Sequence, residues 1–254
     1  MNRTIRNLAF AAVTAFSASA VMASTLVSAG DKIKFANGNG DNPGGAFILT
    51  NWGQNGAANL GSFESFCLEY NEYMNYGGPS YSQGPTFKVN SISDAAKNGG
   101  AGGRIADPNG GTYDPLDRKT AYLYTKYIED QGALNGATGW NTATLVQKGT
   151  AMQQAIWYIE QERALGQIGA LALQLVNLAA TNILSWDEVG TGRVKALNLT
   201  WFSGGGTSYP TGTPAQDQLY LAPVPLPAAG WLMLSALGLG GLLKKKRREA
   251  TAAV

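Results

Sequence analysis

The 254-residue sequence predicts an α+β fold, with a strand-rich N-terminal half, a helical insert and returning C-terminal strands, plus a single membrane-spanning helix at the C-terminus. Three observations lead to this prediction. Short β-branched and aromatic segments bounded by Asn, Gly and Pro fill the first half of the chain. Leu- and Ala-rich segments with helical spacing follow. An uncharged apolar run then precedes five consecutive cations near the C-terminus.

Strands are predicted on both sides of the helices. The first four are expected at Lys32 to Ala36, Ala46 to Asn51, Ser62 to Tyr70 and Thr86 to Ser91, and the last two at Arg193 to Phe202 and Asp217 to Ala222. The segments with helical character are Asp117 to Gln131, Thr142 to Leu165 and Gly166 to Leu184. One domain with helices packed on a sheet is the simplest way to bury the apolar faces of these elements.

The second predicted helix places an amide next to its buried face. Its apolar positions recur at i, i+3, i+4 and i+7, which is typical of a helix that packs on a core, and they are occupied by Met152, Ala155, Ile156 and Ile159. Gln153 follows Met152 by one position, about 100° around the helix axis. We therefore expect its side chain at the edge of the buried face.

The N-terminus is typical of a secretory leader. Arg3 and Arg6 precede an apolar segment from Leu8 to Phe16, and small residues follow it. Three cleavage patterns are present, Ala18-Ser19-Ala20, Val21-Met22-Ala23 and Val27-Ser28-Ala29. We predict a signal peptide over residues 1–23, read by the secretion translocon and signal peptidase.

The C-terminus is typical of a membrane stop. The seventeen residues from Pro227 to Leu243 are uncharged, and as a helix they would be about 25 Å long. The cations behind them favour the cytoplasmic side of a bilayer, so the preceding chain is placed outside. They are Lys244, Lys245, Lys246, Arg247 and Arg248. An ordinary C-terminal anchor is the simplest interpretation of this pattern alone.

A proline motif makes the C-terminus more specific. The segment Val224, Pro225, Leu226, Pro227 and Ala228, followed by the apolar run and the basic cluster, resembles the PEP-CTERM sorting tail that exosortase-type membrane transpeptidases recognise. Leu226 stands where the commonest form has Glu. The resemblance covers residues 223–248 and implies a protein held in the inner membrane before processing, then placed at the cell surface or outside, often with exopolysaccharide in a biofilm matrix.

Composition excludes several functions for the segment between leader and tail, residues 24–222. It holds 12 of the 19 Lys and Arg and 16 of the 17 Asp and Glu, a net charge of −4, which argues against nucleic acid as a partner. The chain has no histidine, which removes Ser-His-Asp and Cys-His catalysis. We therefore predict no enzyme, no metal and no cofactor. The single cysteine, Cys67, has no intramolecular disulfide partner.

Two short motifs in this segment resemble a second family. Phe66-Cys67-Leu68, and Gln153 with Gln154-Ala155-Ile156-Trp157 after it, are similar to the aromatic-Cys and Gln-x-Ala-Ile-Trp signatures of bacterial surface thioester domains. The resemblance implies a bond between the Cys67 sulfur and the Gln153 side-chain carbonyl, with Phe66 and Trp157 around it, that captures a nucleophile on a target. Two positions depart from the family, Met152 in place of Thr and Leu68 after the cysteine.

Two functions stay open for an exported surface or matrix protein, and a third, an enzyme, is disfavoured by the missing histidines and has no catalytic set that can be named. The first is adhesion by covalent attachment to a surface amine or hydroxyl through a thioester. The alternative is a non-covalent structural or carbohydrate-associated role, in which the cysteine is buried and free and extracellular polysaccharide is a candidate partner.

The nearby carboxylates Glu64, Glu69 and Glu72 are expected to be solvated, and the segment Asp107 to Asp114 is expected to be a turn rather than a calcium loop.

Overall fold

The structure is a computed structural model that describes residues 26–41, 44–56, 59–71, 86–98, 100–108, 110–202 and 210–224. The strands in these ranges are β1 (Lys32–Asp41), β2 (Gly44–Asn51), β3 (Gly61–Ser65), β4 (Phe87–Ser93), β5 (Ala95–Ala96), β6 (Ile105–Ala106), β7 (Thr112–Pro115), β8 (Val194–Trp201) and β9 (Pro214–Leu221). The α-helices are α1 (Arg118–Glu129), α2 (Leu145–Ile159) and α3 (Ala170–Asn182). Short 3-10 segments lie between and after the helices.

Six strands form one antiparallel sheet in the order β3-β2-β1-β4-β8-β9. Its two edges meet, because the chain beyond β3 turns to β9. Cys67 and Gln218 form an antiparallel bridge, the Phe66 carbonyl accepts a hydrogen bond from the Leu219 N–H at 3.0 Å, and the Leu68 N–H donates to the Asp217 carbonyl at 3.1 Å. The sheet is thus closed at this point, and edge groups that would otherwise be unpaired are satisfied.

The two faces of the sheet bury separate apolar clusters. One cluster contains inward-facing strand residues such as Ile33, Leu49 and Trp201 together with Cys67. The other lies between the sheet and the helices and includes Phe66. Adjacent residues of an extended chain point to opposite faces. The side chains of Phe66 and Cys67 therefore lie in different cores.

Helix α2 is positioned by a close approach to the β1–β2 hairpin. A Cβ atom on Gly149 would lie 1.9 Å from the carbonyl oxygen of Asn39, so only glycine allows this spacing. The Asp41 N–H donates to the Thr150 hydroxyl at 2.9 Å, and a capping box between Thr144 and Gln147 begins the helix. These contacts place Gln153 over the point where the sheet closes.

The fold class as predicted is wrong in its C-terminal membrane-spanning helix. Among the described residues, which end at Val224, no helix is long and apolar enough to cross a membrane. The three α-helices have 12, 15 and 13 residues. Helices of this size are about 18–23 Å long, and a hydrocarbon core is about 30 Å thick. The segments on which the leader and the span were predicted, residues 1–23 and 227–243, lie outside the described residues.

Glu160, at the C-terminal end of α2, makes the stability of the fold depend on pH. It is 4% exposed, and its carboxylate oxygens lie 3.2 and 3.4 Å from the Asp117 N–H that precedes α1. Burial raises its pKa from 4.5 to about 8. Because the folded pKa is the higher one, this group's stabilisation is complete below the unfolded pKa and is lost as the pH rises to about 8.

Replacing Glu160 by glutamine should remove this loss. We expect Glu160→Gln to weaken the fall in unfolding free energy between about pH 4.5 and about pH 8, leaving the variant more stable than the wild type at the alkaline end by about one to three kcal/mol. Denaturant unfolding across this range measures the effect. Asp187→Asn, at an exposed carboxylate, is the control. Identical pH dependence in wild type and Glu160→Gln would contradict the assignment.

Candidate functional site

Cys67 and Gln153 come from different elements and meet inside the domain. The Cys67 N–H donates to Gln153 Oε1 at 2.9 Å, and Gln153 Nε2 donates to the Cys67 carbonyl at 2.8 Å. Both residues are buried, with 3% of Cys67 and none of Gln153 exposed. A flipped amide would place donor against donor and acceptor against acceptor, so the two bonds together define its orientation.

The Gln153 amide takes the place of a neighbouring strand. Pairing between β2 and β3 ends at Phe47 and Ser65, and the next residues pair with β9 instead. The N–H and carbonyl of Cys67 then have no strand partner on the β2 side. Buried main-chain groups need hydrogen bonds, and the side chain from α2 supplies both. Gln153 is therefore fully buried, deeper than the edge position predicted from the helical pattern.

The Cys67 sulfur has its own hydrogen-bond donor. Gln218 Nε2, on β9, lies 3.1 Å from Sγ. The pKa of the thiol is raised far above its ordinary value, chiefly by burial, while the hydrogen bond from Gln218 lowers it and the charge of Glu69 raises it. The thiol is thus protonated at neutral pH. Gln218 was not among the residues predicted from the sequence.

The two predicted surrounding residues lie on different sides of Cys67. Phe66 packs edge-on against Tyr127, with ring centroids 5.1 Å apart, in the core between sheet and helices. Trp157 belongs to the same apolar cluster as Cys67. Its ring meets Tyr70 edge-on at 5.0 Å, and the Arg163 guanidinium lies 3.9 Å from the centroid of Tyr70. Trp157 thus shares the core that contains the sulfur, and Phe66 does not.

The expectation of solvated carboxylates is wrong for Glu69. This residue is 1% exposed, and its Oε2 accepts a hydrogen bond from the Asp217 N–H at 3.1 Å. Its burial follows from the pairing of residues 66–68 with β9, which brings the next residues against that strand. Glu64 accepts from the Tyr127 hydroxyl at 2.8 Å, and Glu72 lies outside the described residues.

The described part of the chain contains no group of three or more His, Cys, Asp or Glu residues arranged to hold a metal ion. The segment Asp107 to Asp114 includes the turn between β6 and β7, as predicted: the Gly110 N–H donates to the Asp107 carbonyl at 2.9 Å.

Of the proline motif, Val224 is described and 61% exposed. Residues Pro225 to Ala228 and the basic cluster Lys244 to Arg248 lie outside the described residues.

No family model, no curated protein and no solved structure matches this chain. The two family resemblances therefore depend on the motif residues themselves. What the structure adds is the contact between the motifs, since residues 86 positions apart share two hydrogen bonds.

Removing the Gln153 amide should destabilise the domain strongly. Gln153→Ala leaves the buried N–H and carbonyl of Cys67 without their partners, for which we expect a loss of about 2–5 kcal/mol in unfolding free energy. Gln154→Ala is the matched control, because this neighbour is less buried and accepts one hydrogen bond, from the Gly169 N–H. Denaturant unfolding compares the two variants. Equal losses would contradict a strand-replacing role for Gln153.

Proposed function

We propose that this chain is an exported surface or extracellular-matrix protein whose domain attaches covalently to a target through an internal thioester between Cys67 and Gln153. One observation supports the thioester above others, the buried contact of the Cys67 main chain with the side-chain amide of Gln153. A preformed arrangement of this kind replaces a costly encounter between two separate groups.

The bond would form by acyl transfer within the domain. The Cys67 sulfur adds to Gln153 Cδ, the S–H and C–N bonds break, and the S–C bond forms. The amide nitrogen leaves as ammonia with the thiol proton, so no oxidant or cofactor is needed. Negative charge develops on Gln153 Oε1 during the addition, and the Cys67 N–H at 2.9 Å already donates to this atom.

Attachment would be a second acyl transfer. A primary amine on the target attacks the thioester carbonyl, forms an amide with the Gln153 side chain and releases the Cys67 thiol after losing a proton. Complete burial of Gln153 supports this proposal, since a thioester exposed to water would be hydrolysed before a target arrived.

The proposal also includes export and sorting. Signal peptidase would remove the leader after Ala20 or Ala23, because Val27 is buried and its N–H donates to the Tyr220 hydroxyl at 3.1 Å. Cleavage after Ala29 would remove that packing. At the other end, the proline motif starts at exposed Val224, beyond the last residue of β9, and an exosortase-type transpeptidase would read the chain from there.

A second function is favoured by one observation. The two hydrogen bonds of Gln153 satisfy the main chain of Cys67, and burial keeps the thiol protonated. Both facts suit a structural or carbohydrate-associated matrix protein with an inert buried cysteine. The two functions differ in one covalent bond, which mass spectrometry detects.

The thioester predicts a mass lower than that of the sequence by one ammonia. Intact-mass measurement of the exported protein should show this loss, and methylamine should add to Gln153 and release one thiol. Cys67→Ala, which keeps both main-chain hydrogen bonds, should show neither change. Full sequence mass with no methylamine addition in freshly prepared wild type would exclude the thioester and leave the non-covalent function.

The sorting proposal predicts that the prolines of the motif are required for C-terminal processing. Proline fixes an extended backbone that a recognition site can read, so Pro225→Ala combined with Pro227→Ala should leave an unprocessed form. A C-terminal tag and the intact mass of the exported protein report the processing. Pro223→Ala, one residue before the motif, is the control. Normal processing of the double variant would count against this motif as the signal.

A further inference from the structure

A thioester needs its sulfur to exist as a thiolate at two moments. The thiolate is the attacking group when the bond forms, and it is the leaving group when an amine opens the bond. In the Cys67 pocket, burial works against that charge and raises the pKa of the thiol. A hydrogen-bond donor aimed at the sulfur would lower the cost of both steps.

Gln218 is placed to be this donor. Its side chain is fully buried, and Nε2 lies 3.1 Å from Cys67 Sγ. The Ser65 hydroxyl lies 3.2 Å from Gln218 Oε1 at the other end of the amide, and it is also 2.6 Å from the Leu219 carbonyl. Because Gln218 pairs with Cys67 across the closed edge of the sheet, the main chain holds both residues in register.

We propose that Gln218 is a catalytic residue of the Cys67–Gln153 thioester, whose side-chain N–H stabilises the Cys67 sulfur as a thiolate when the bond forms and when an amine opens it. This inference rests on the proposed function. It adds a third residue to the two in the motifs, and it assigns each amide a separate task. Gln153 is the acyl group, and Gln218 is the donor to the sulfur.

The effect on rate has a predictable direction. Stabilising a thiolate lowers its intrinsic nucleophilicity, but with a Brønsted coefficient of about 0.4–0.5 this loss is smaller than the gain in thiolate fraction. Bond formation is therefore faster with the donor present. In the opening reaction the donor helps directly, since a sulfur with a lower pKa is a better leaving group.

A neighbouring residue offers a matched control. Gln216, also on β9, is buried, and its Nε2 donates to the Glu69 carbonyl, in the same segment that contains Cys67. Both glutamines thus connect β9 to residues 67–69, and Gln218 is the one whose donor contacts the sulfur. Loss of packing or of a buried amide affects both positions, whereas loss of thiolate stabilisation affects only Gln218.

The test is the rate at which methylamine opens the thioester in the full exported protein, followed by intact mass. We expect Gln218→Met to open roughly three- to tenfold more slowly than wild type, and Gln216→Met to open at nearly the wild-type rate. Gln218→Glu gives a second measurement. The carboxyl of the introduced glutamate donates when protonated and repels a thiolate when ionised. The rate of thioester opening in this variant, relative to wild type, should therefore fall as the pH rises. Circular dichroism checks the fold of each variant.

The outcomes separate the two proposals. Folded Gln218 variants that open as fast as Gln216→Met, with no pH-dependent difference for Gln218→Glu, would overturn the role of Gln218 and leave the thioester in place. A wild-type protein that retains its ammonia would overturn the proposed function and this inference together.

Discussion

The two hydrogen bonds between the Gln153 amide and the main chain of Cys67 are the constraint on which the rest of the structure depends. They lie where the chain after β3 stops pairing with β2 and begins to pair with β9, which is where the six-stranded sheet closes. A free strand edge buried at this point would be costly. Helix α2 removes that cost with one side chain, and the glycine contact at Gly149 sets the distance between α2 and the β1–β2 hairpin.

Buried carboxylates hold the segments around this point. Asp217, beside Gln218 on β9, is fully buried. Its carboxylate accepts hydrogen bonds from the main-chain N–H groups of Lys97, Asn98 and Leu199. It also accepts from the side-chain amides of Asn98 and Asn198. Burial nevertheless raises its pKa to about 6. Glu162, after α2, accepts from the N–H groups of Tyr70, Ala101 and Gly102. Glu162 thereby holds the chain after Cys67 at Tyr70, and Asp217 fixes β9 next to Gln218. A rigid environment of this kind favours acyl transfer.

Local sequence patterns predicted much of the secondary structure, and long-range pairing explains most of what they missed. The helix predicted from Thr142 to Leu165 is Leu145–Ile159, because the Thr144 capping box begins it and the left-handed Gln161 follows its end. The strand predicted from Ser62 to Tyr70 ends at Ser65, because its partner changes from β2 to β9. The membrane span was predicted from hydropathy at residues 227–243, outside the described ranges, and no described helix is suited to that role.

The candidate site was predictable only in part. Motif resemblance selected Cys67 and Gln153, but it gave no reason for the amide to bind the main chain of the cysteine. Gln216, Asp217 and Gln218 form a polar run in which strand alternation alone does not show which side chain reaches the sulfur. That information comes from the register between β9 and the segment after β3, and both belong to distant parts of the chain.

The central claim is that the buried contact between Cys67 and Gln153 matures into a covalent bond. Carbon-13 NMR of exported protein labelled at the side-chain carbonyl of glutamine tests it most directly, because a thioester carbonyl resonates well downfield of an amide. The account predicts one resonance in the thioester region, absent from Cys67→Ala. A spectrum in which every labelled carbonyl remains in the amide region would contradict it.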